Sequence, residues 1–64
     1  MKEDDAWKNY FFLLQQLREN TEKFLKSVEN RDRSMIHELN AEAKEISRKL
    51  NQVDKLLDQF EEPA

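Results

Sequence analysis

At 64 residues, with 39% charged side chains, no glycine, no cysteine and a single proline, Pro63, the chain is one domain at most and has the composition of long helices and coiled coils. The lack of cysteine excludes disulfides and thiolate metal sites, and a formal net charge of −3 speaks against a general nucleic-acid or anionic-membrane binder, since both depend on a positive excess. A domain this short buries only about 60% of its unfolded surface, so oligomerisation is the remaining source of stability.

The N-terminus, Met1 to Asp5, is polar and too acidic for a signal or transit peptide, and no run approaches the roughly 18 apolar residues of a membrane span. A soluble cytoplasmic protein is the expectation. Asp4 or Asp5 is suited to cap a first helix, predicted over about residues 5–30, with Glu3 and both aspartates at the positive end of its dipole. Within it, Trp7, Tyr10, Leu14, Leu17, Thr21, Phe24 and Val28 recur at alternating steps of three and four, which predicts the core seam of an amphipathic helix. Phe11, Leu13 and Leu25 widen that seam and Phe12 lies opposite, so the helix is apolar nearly all round near Tyr10 to Leu14 and expects burial on more than one side. Arg18 with Glu22 and Glu22 with Lys26 are surface pairs one turn apart.

The segment Glu29 to Ser34 interrupts the apolar pattern. Asn30 tolerates the left-handed conformation that ends helices, and Asp32 or Ser34 is suited to cap the next, which places a turn over about residues 31–34. A second helix is predicted over about residues 35–61, ending near Glu61 before Pro63. Its seam is Ile36, Leu39, Ala43, Ile46, Leu50, Val53, Leu57 and Phe60, with Met35 and Leu56 on the flanks. From Val28 to Ile36 a continuous helix would rotate the stripe by roughly 80°, and a hairpin resolves that shift. Antiparallel pairing then sets Trp7 on Phe60, Tyr10 on Leu57, Leu14 on Val53, Leu17 on Leu50, Thr21 on Ile46, Phe24 on Ala43 and Val28 on Leu39, with the turn centred between Arg33 and Ser34.

The expected fold is therefore all-α: residues 1–64 form one antiparallel two-helix coiled-coil hairpin. Such a hairpin leaves its flanking residues wet, and a homodimer closing into a four-helix bundle would cover them. The charges make the hairpin a dipole. Lys23, Lys26, Arg31 and Arg33 outweigh Glu29 and Asp32 at the turn, whereas Glu3, Asp4, Asp5, Asp58, Glu61 and Glu62 face only Lys2 at the open end. Antiparallel packing of two copies complements that layout.

No constellation demands a chemistry. His37, the one histidine, has neither an HExxH nor an ExxH context and reads as an exposed first-turn residue, and the Glu3-Asp4-Asp5 cluster lacks the glycine and spacing of a calcium loop. Neither a nucleophile grouping nor a phosphate-cradling glycine loop occurs, so no enzymatic activity, cofactor, metal or small-molecule substrate is expected. The expected function is a protein-interaction module: a small homodimeric adaptor, regulator or chaperone that binds itself or another helical protein, with Phe11, Phe12, Leu13 and Leu56 as contact residues. The alternative is an RNA-binding bundle using Lys8, Gln15 and Arg18, or the basic turn, with the aromatic side chains as stacking platforms. In length and layout the hairpin resembles the small plasmid-encoded RNA-binding repressors of primer, which dimerise into bundles; that likeness is architectural. Residues 25–50, with heptads around an Arg-Asp-containing turn, are loosely similar to helical-hairpin chaperones of flagellar and related export systems. A piece of a longer coiled-coil protein is a third reading, which the initial Met1 makes less attractive.

Overall fold

Arg31 is the residue at which the chain reverses. The computed structural model describes residues 2–60, which form helix α1 (Glu3–Glu29), a three-residue connection and helix α2 (Arg33–Asp58), packed side by side in a rod of 50 × 19 × 15 Å. Arg31 has φ 55°, while Asn30, expected to take the left-handed conformation, stays right-handed at φ −83°. The Arg31 amide donates to the Val28 carbonyl at 3.1 Å and the Asp32 amide to the Ser27 carbonyl at 2.9 Å. Those two bonds close a helix whose next residue is left-handed, and they satisfy carbonyls that the last turn would otherwise leave open. A side chain with a Cβ in this conformation costs about 1–2 kcal/mol, where glycine would cost almost nothing.

Asp32 begins α2. Its side chain accepts a hydrogen bond from the Met35 amide at 3.2 Å, the cap expected of Asp32 or Ser34. The connection is thus Asn30 to Asp32, earlier than the expected 31–34, and the second helix starts at Arg33 and runs to Asp58, with Gln59 and Phe60 in a turn. Glu61, Glu62 and Pro63, expected at the end of this helix, lie outside the described residues. At the other end α1 starts at Glu3 after Lys2, which contributes no side-chain cap. Asp4 and Asp5 are inside the first turn with Glu3, where they act on the helix dipole rather than as caps.

Helix α2 carries a single apolar stripe. Leu39, Ile46, Val53 and Leu57 are buried along it, and Ile36, Ala43, Leu50 and Phe60 are half-buried. Helix α1 meets this stripe with Tyr10, Leu17 and Phe24 of its expected seam, but every other seam position is shifted by one residue. Ala6, Leu13, Asn20 and Ser27, seven residues apart, point inward, with Tyr10, Leu17 and Phe24 half-buried between them. Trp7, Leu14, Thr21 and Val28, expected in the core, are exposed, and Leu13, expected on the partner-binding flank, is 4% exposed inside it. Two physical reasons favour this rotation. A connection of only three residues fixes how α1 is turned relative to α2. Small residues at Ala6 and Ser27 also let the helices approach against the bulky α2 stripe, as large-to-small matching requires.

The core is uneven along the rod. Ala6, Leu13, Ile46, Val53 and Leu57 form one apolar cluster towards the open end, flanked by Tyr10, Leu17, Leu50, Leu56 and Phe60. Burial of such aliphatic side chains contributes roughly 1.5–3 kcal/mol each. Towards the turn the inward residues of α1 become polar. Asn20, 4% exposed, donates its side-chain amide to the Leu39 carbonyl at 2.9 Å and to the Glu42 carboxylate at 3.1 Å. Ser27 donates to the Lys23 carbonyl one turn back at 2.9 Å. Among the described residues no buried side-chain nitrogen or oxygen lacks a partner, so this half of the interface is polar but satisfied. The Asn20 contact also corrects the expected register. Asn20 meets the Leu39 to Glu42 turn of α2, where sequence pairing had set Val28 on Leu39 and Thr21 on Ile46.

Candidate functional site

Rotating α1 so that Ala6, Leu13, Asn20 and Ser27 face α2 leaves its second apolar stripe at the surface. Trp7, Phe11, Leu14, Leu25 and Val28 are all exposed, Phe11 at 63% and Leu25 at 59%. With Arg18 and Thr21 in the middle, these residues alternate by four and three along the whole helix, each one position after a core residue. One position is about 100° of helix, so the second stripe stands nearly at right angles to the first. It is a heptad seam with no helix against it. Thr21 donates its hydroxyl to the Leu17 carbonyl at 2.9 Å, which satisfies it within its own helix. Trp7 is braced at one end by an edge-to-face contact with Tyr10, ring centroids 5.9 Å apart.

Helix α2 offers no counterpart. Among the described residues Met35, next to the turn, is the one large hydrophobic side chain that α2 exposes. Trp7, Phe11, Leu14, Leu25 and Val28 thus share one face of α1, while exposed Phe12 and Met35 lie elsewhere.

The residues expected to form one contact patch are separated. Phe11 lies on the outer stripe, Leu13 is in the core and Phe12, 56% exposed, lies on the far side of α1 above Gln16, Glu19 and Lys23. Successive helix positions turn by about 100°, so three consecutive residues cannot share a surface. Leu56 is half-buried against the core cluster. The residues that sequence reasoning missed as surface are Trp7, Leu14 and Val28. Their signal is present, because Phe11 and Leu25 extend their spacing, but hydropathy alone reads the pattern as core.

Between the helices on the Phe12 side runs a shallow groove of about 350 Å³, lined among others by Glu19, Lys23, Glu42, Glu45 and Lys49. It mixes both signs of charge over the Asn20 contact and offers no convergent set of donors. On its rim Glu45 is held below its ordinary carboxylate pKa, first by a side-chain hydrogen bond from Arg48, which that bond in turn holds above its own ordinary value. The Arg48 Nε reaches Glu45 Oε2 at 3.3 Å, and a second guanidinium nitrogen contacts the other carboxylate oxygen. Both side chains are solvent-exposed, so the pair adds little stability. Lys8, Gln15 and Arg18, considered for RNA, sit along α1 with Arg18 engaged by Glu22 at 3.6 Å. Among the described residues no three histidine or acidic side chains gather as a metal site, and no helix is long and apolar enough to cross a membrane. Comparison with protein-family models, with curated proteins and with solved structures finds no significant match to this chain.

Proposed function

We propose that this chain is a non-enzymatic protein-interaction module that works by laying an apolar helix along the outer face of α1. The supporting observation is the exposed stripe of Trp7, Phe11 and Leu14 at one end of α1 and Leu25 and Val28 at the other, interrupted by Arg18 and Thr21, on a helix whose other apolar stripe is already used for folding. A surface helix needs one such stripe; a second at both ends of the helix suits pairing with another helix in the manner of a groove-bound or coiled-coil partner. The large anchors Trp7 and Phe11 lie at one end and Leu25 and Val28 at the other, so a bound helix is held along its length. Adaptor, regulator and small chaperone are the roles that such a surface serves, with a homodimer as the resting assembly.

The test uses the whole chain and its Phe11→Glu variant. Light scattering across a dilution series, with circular dichroism and 1-anilinonaphthalene-8-sulfonate fluorescence on the same samples, reads assembly, helicity and exposed apolar surface together. Concentration-dependent association, or dye binding by a monomer, that is lost in Phe11→Glu while helicity is kept supports the reading. A helical protein that stays monomeric and dark to the dye, or a Phe11→Glu variant indistinguishable from the parent, overturns it.

A further inference from the structure

Resting on that reading, we infer that the helix covering the α1 stripe is α1 of a second copy, running antiparallel, with the two-fold axis at Arg18. The stripe is symmetric about its own middle. Reversing it lays Trp7 against Val28, Phe11 against Leu25 and Leu14 against Thr21, so each bulky residue of the open end meets a smaller aliphatic or threonine side chain near the turn of the other copy. Arg18 falls at the centre. Its guanidinium is already paired with Glu22 of its own helix, so the charge brought to the axis carries its own counter-charge.

Charge decides the direction. The first turn of α1 carries Glu3, Asp4 and Asp5, while Lys26, Arg31 and Arg33 outnumber Glu29 and Asp32 at the turn of the hairpin. An antiparallel pair sets the acidic end of each copy beside the basic end of the other, and Lys8 comes level with Glu29 of the second copy. A parallel pair sets the three acidic residues against their own copies, Lys8 against Lys8 and Glu29 against Glu29, which like-charge repulsion opposes. The helix dipoles give the same preference.

The face of α2 on the same side of the hairpin is polar. Asn40 and Thr21 line a second, smaller cleft between the helices on this side, and Lys44, Ser47 and Asn51 follow Asn40 at helical spacing. The apolar contact of the pair is therefore confined to α1, with the two copies of α2 meeting only through side chains that keep their water. The assembly has four helices but one apolar seam between copies.

The chain has no cysteine, so introduced thiols report on this geometry without background. Arg18→Cys, Phe11→Cys and Phe11→Cys with Leu25→Cys are each oxidised mildly at a concentration where the parent associates. Arg18→Cys alone, and the double variant, are expected to give a covalent dimer. Phe11→Cys alone is expected to stay uncrosslinked, because residue 11 of the two copies is roughly 20 Å apart along the axis. Crosslinking of Phe11→Cys as readily as Arg18→Cys overturns the antiparallel register. A monomer that none of the variants crosslinks overturns self-pairing, and dye binding lost in Phe11→Glu then shows that the stripe still serves a different helix. A dimer that none of them crosslinks, with association unchanged in Phe11→Glu, removes both this inference and the α1 docking surface.

Discussion

Asn20 of α1 and Leu39 of α2 are joined by the hydrogen bond, 2.9 Å from side-chain amide to backbone carbonyl, that crosses the interior of the hairpin. It is made where the apolar cluster stops, and the same amide also reaches Glu42. A polar group buried at a coiled-coil seam position costs stability relative to an aliphatic residue and specifies register. Asn20→Ala is expected to lower the unfolding free energy by about 1–2 kcal/mol, because it removes both bonds and leaves a void. Asn20→Leu is expected to recover or exceed the parental stability while losing uniqueness of register. Chemical denaturation gives the first result, and the number of amide resonances in a nitrogen–proton correlation spectrum gives the second.

Leu13 and Leu14 are neighbours with opposite fates, 4% and 42% exposed. Leu13→Ala is expected to cost about 2–3 kcal/mol, a large share of the stability of a domain this small. Leu14→Ala is expected to leave the helicity of the dilute protein intact and to weaken association instead. Circular dichroism melts at low concentration, beside light scattering at high concentration, separate the two effects. Loss of dilute helicity in both variants would place Leu14 in the core and contradict the rotation of α1 described above.

Arg31 holds a left-handed conformation that glycine adopts without steric cost. Arg31→Gly is expected to stabilise the hairpin by about 1 kcal/mol, the relief of Cβ crowding being partly offset by the freedom glycine gains in the unfolded chain. Asp32→Ala, which removes the cap on Met35, is expected to destabilise by about 1 kcal/mol. Denaturant midpoints at unchanged slope are the measurement, and an unchanged midpoint for Arg31→Gly would show that the turn is not strained.

The Glu45–Arg48 pair gives a pH signature. Because the carboxyl pKa is lowered in the folded chain, its contribution is present at neutral pH and is lost as the pH falls below 4.5, the ordinary value, through the depressed one. Arg48→Gln is expected to return the Glu45 titration to its ordinary value with little change in stability, since both groups are exposed. A carboxyl-detected NMR titration of the two proteins reads the shift directly.

Helix α2 was legible in the sequence because it has one stripe. Ile36, Leu39, Ala43, Ile46, Leu50, Val53, Leu57 and Phe60 are its apolar residues at seam spacing, and these side chains are buried or half-buried. Helix α1 has two stripes a single position apart, and hydropathy mixes them: Tyr10, Leu17 and Phe24 of the expected seam are half-buried towards α2, whereas Trp7, Leu14, Thr21 and Val28 belong to the outer stripe. Leu14 and Val28 are far more apolar than Asn20 and Ser27, and Trp7 is far larger than Ala6, yet Ala6, Asn20 and Ser27 face α2. What decides is information absent from a single-helix pattern: the rotation imposed by the short connection, the room that small residues give to facing large ones, and a hydrogen-bond acceptor on the opposite helix for Asn20. The break was visible as an interruption of the pattern. Its residue-level chemistry was not, because Arg31 has no intrinsic preference for the conformation it takes.

The three-residue connection also governs which exchanged forms of this protein are open to it. If Arg31 relaxed to right-handed geometry and the two helices fused into one, the inward stripe of α1, ending at Ser27, and that of α2, beginning at Ile36, would stand nine positions apart. At about 100° per residue that pair would be about 180° apart, and Ser27 and Leu39 about 120°, so the two stripes would not share one face of the rod. A straightened chain would bury both stripes poorly against one straightened copy, so phase, beside the strength of the turn, disfavours that exchanged form.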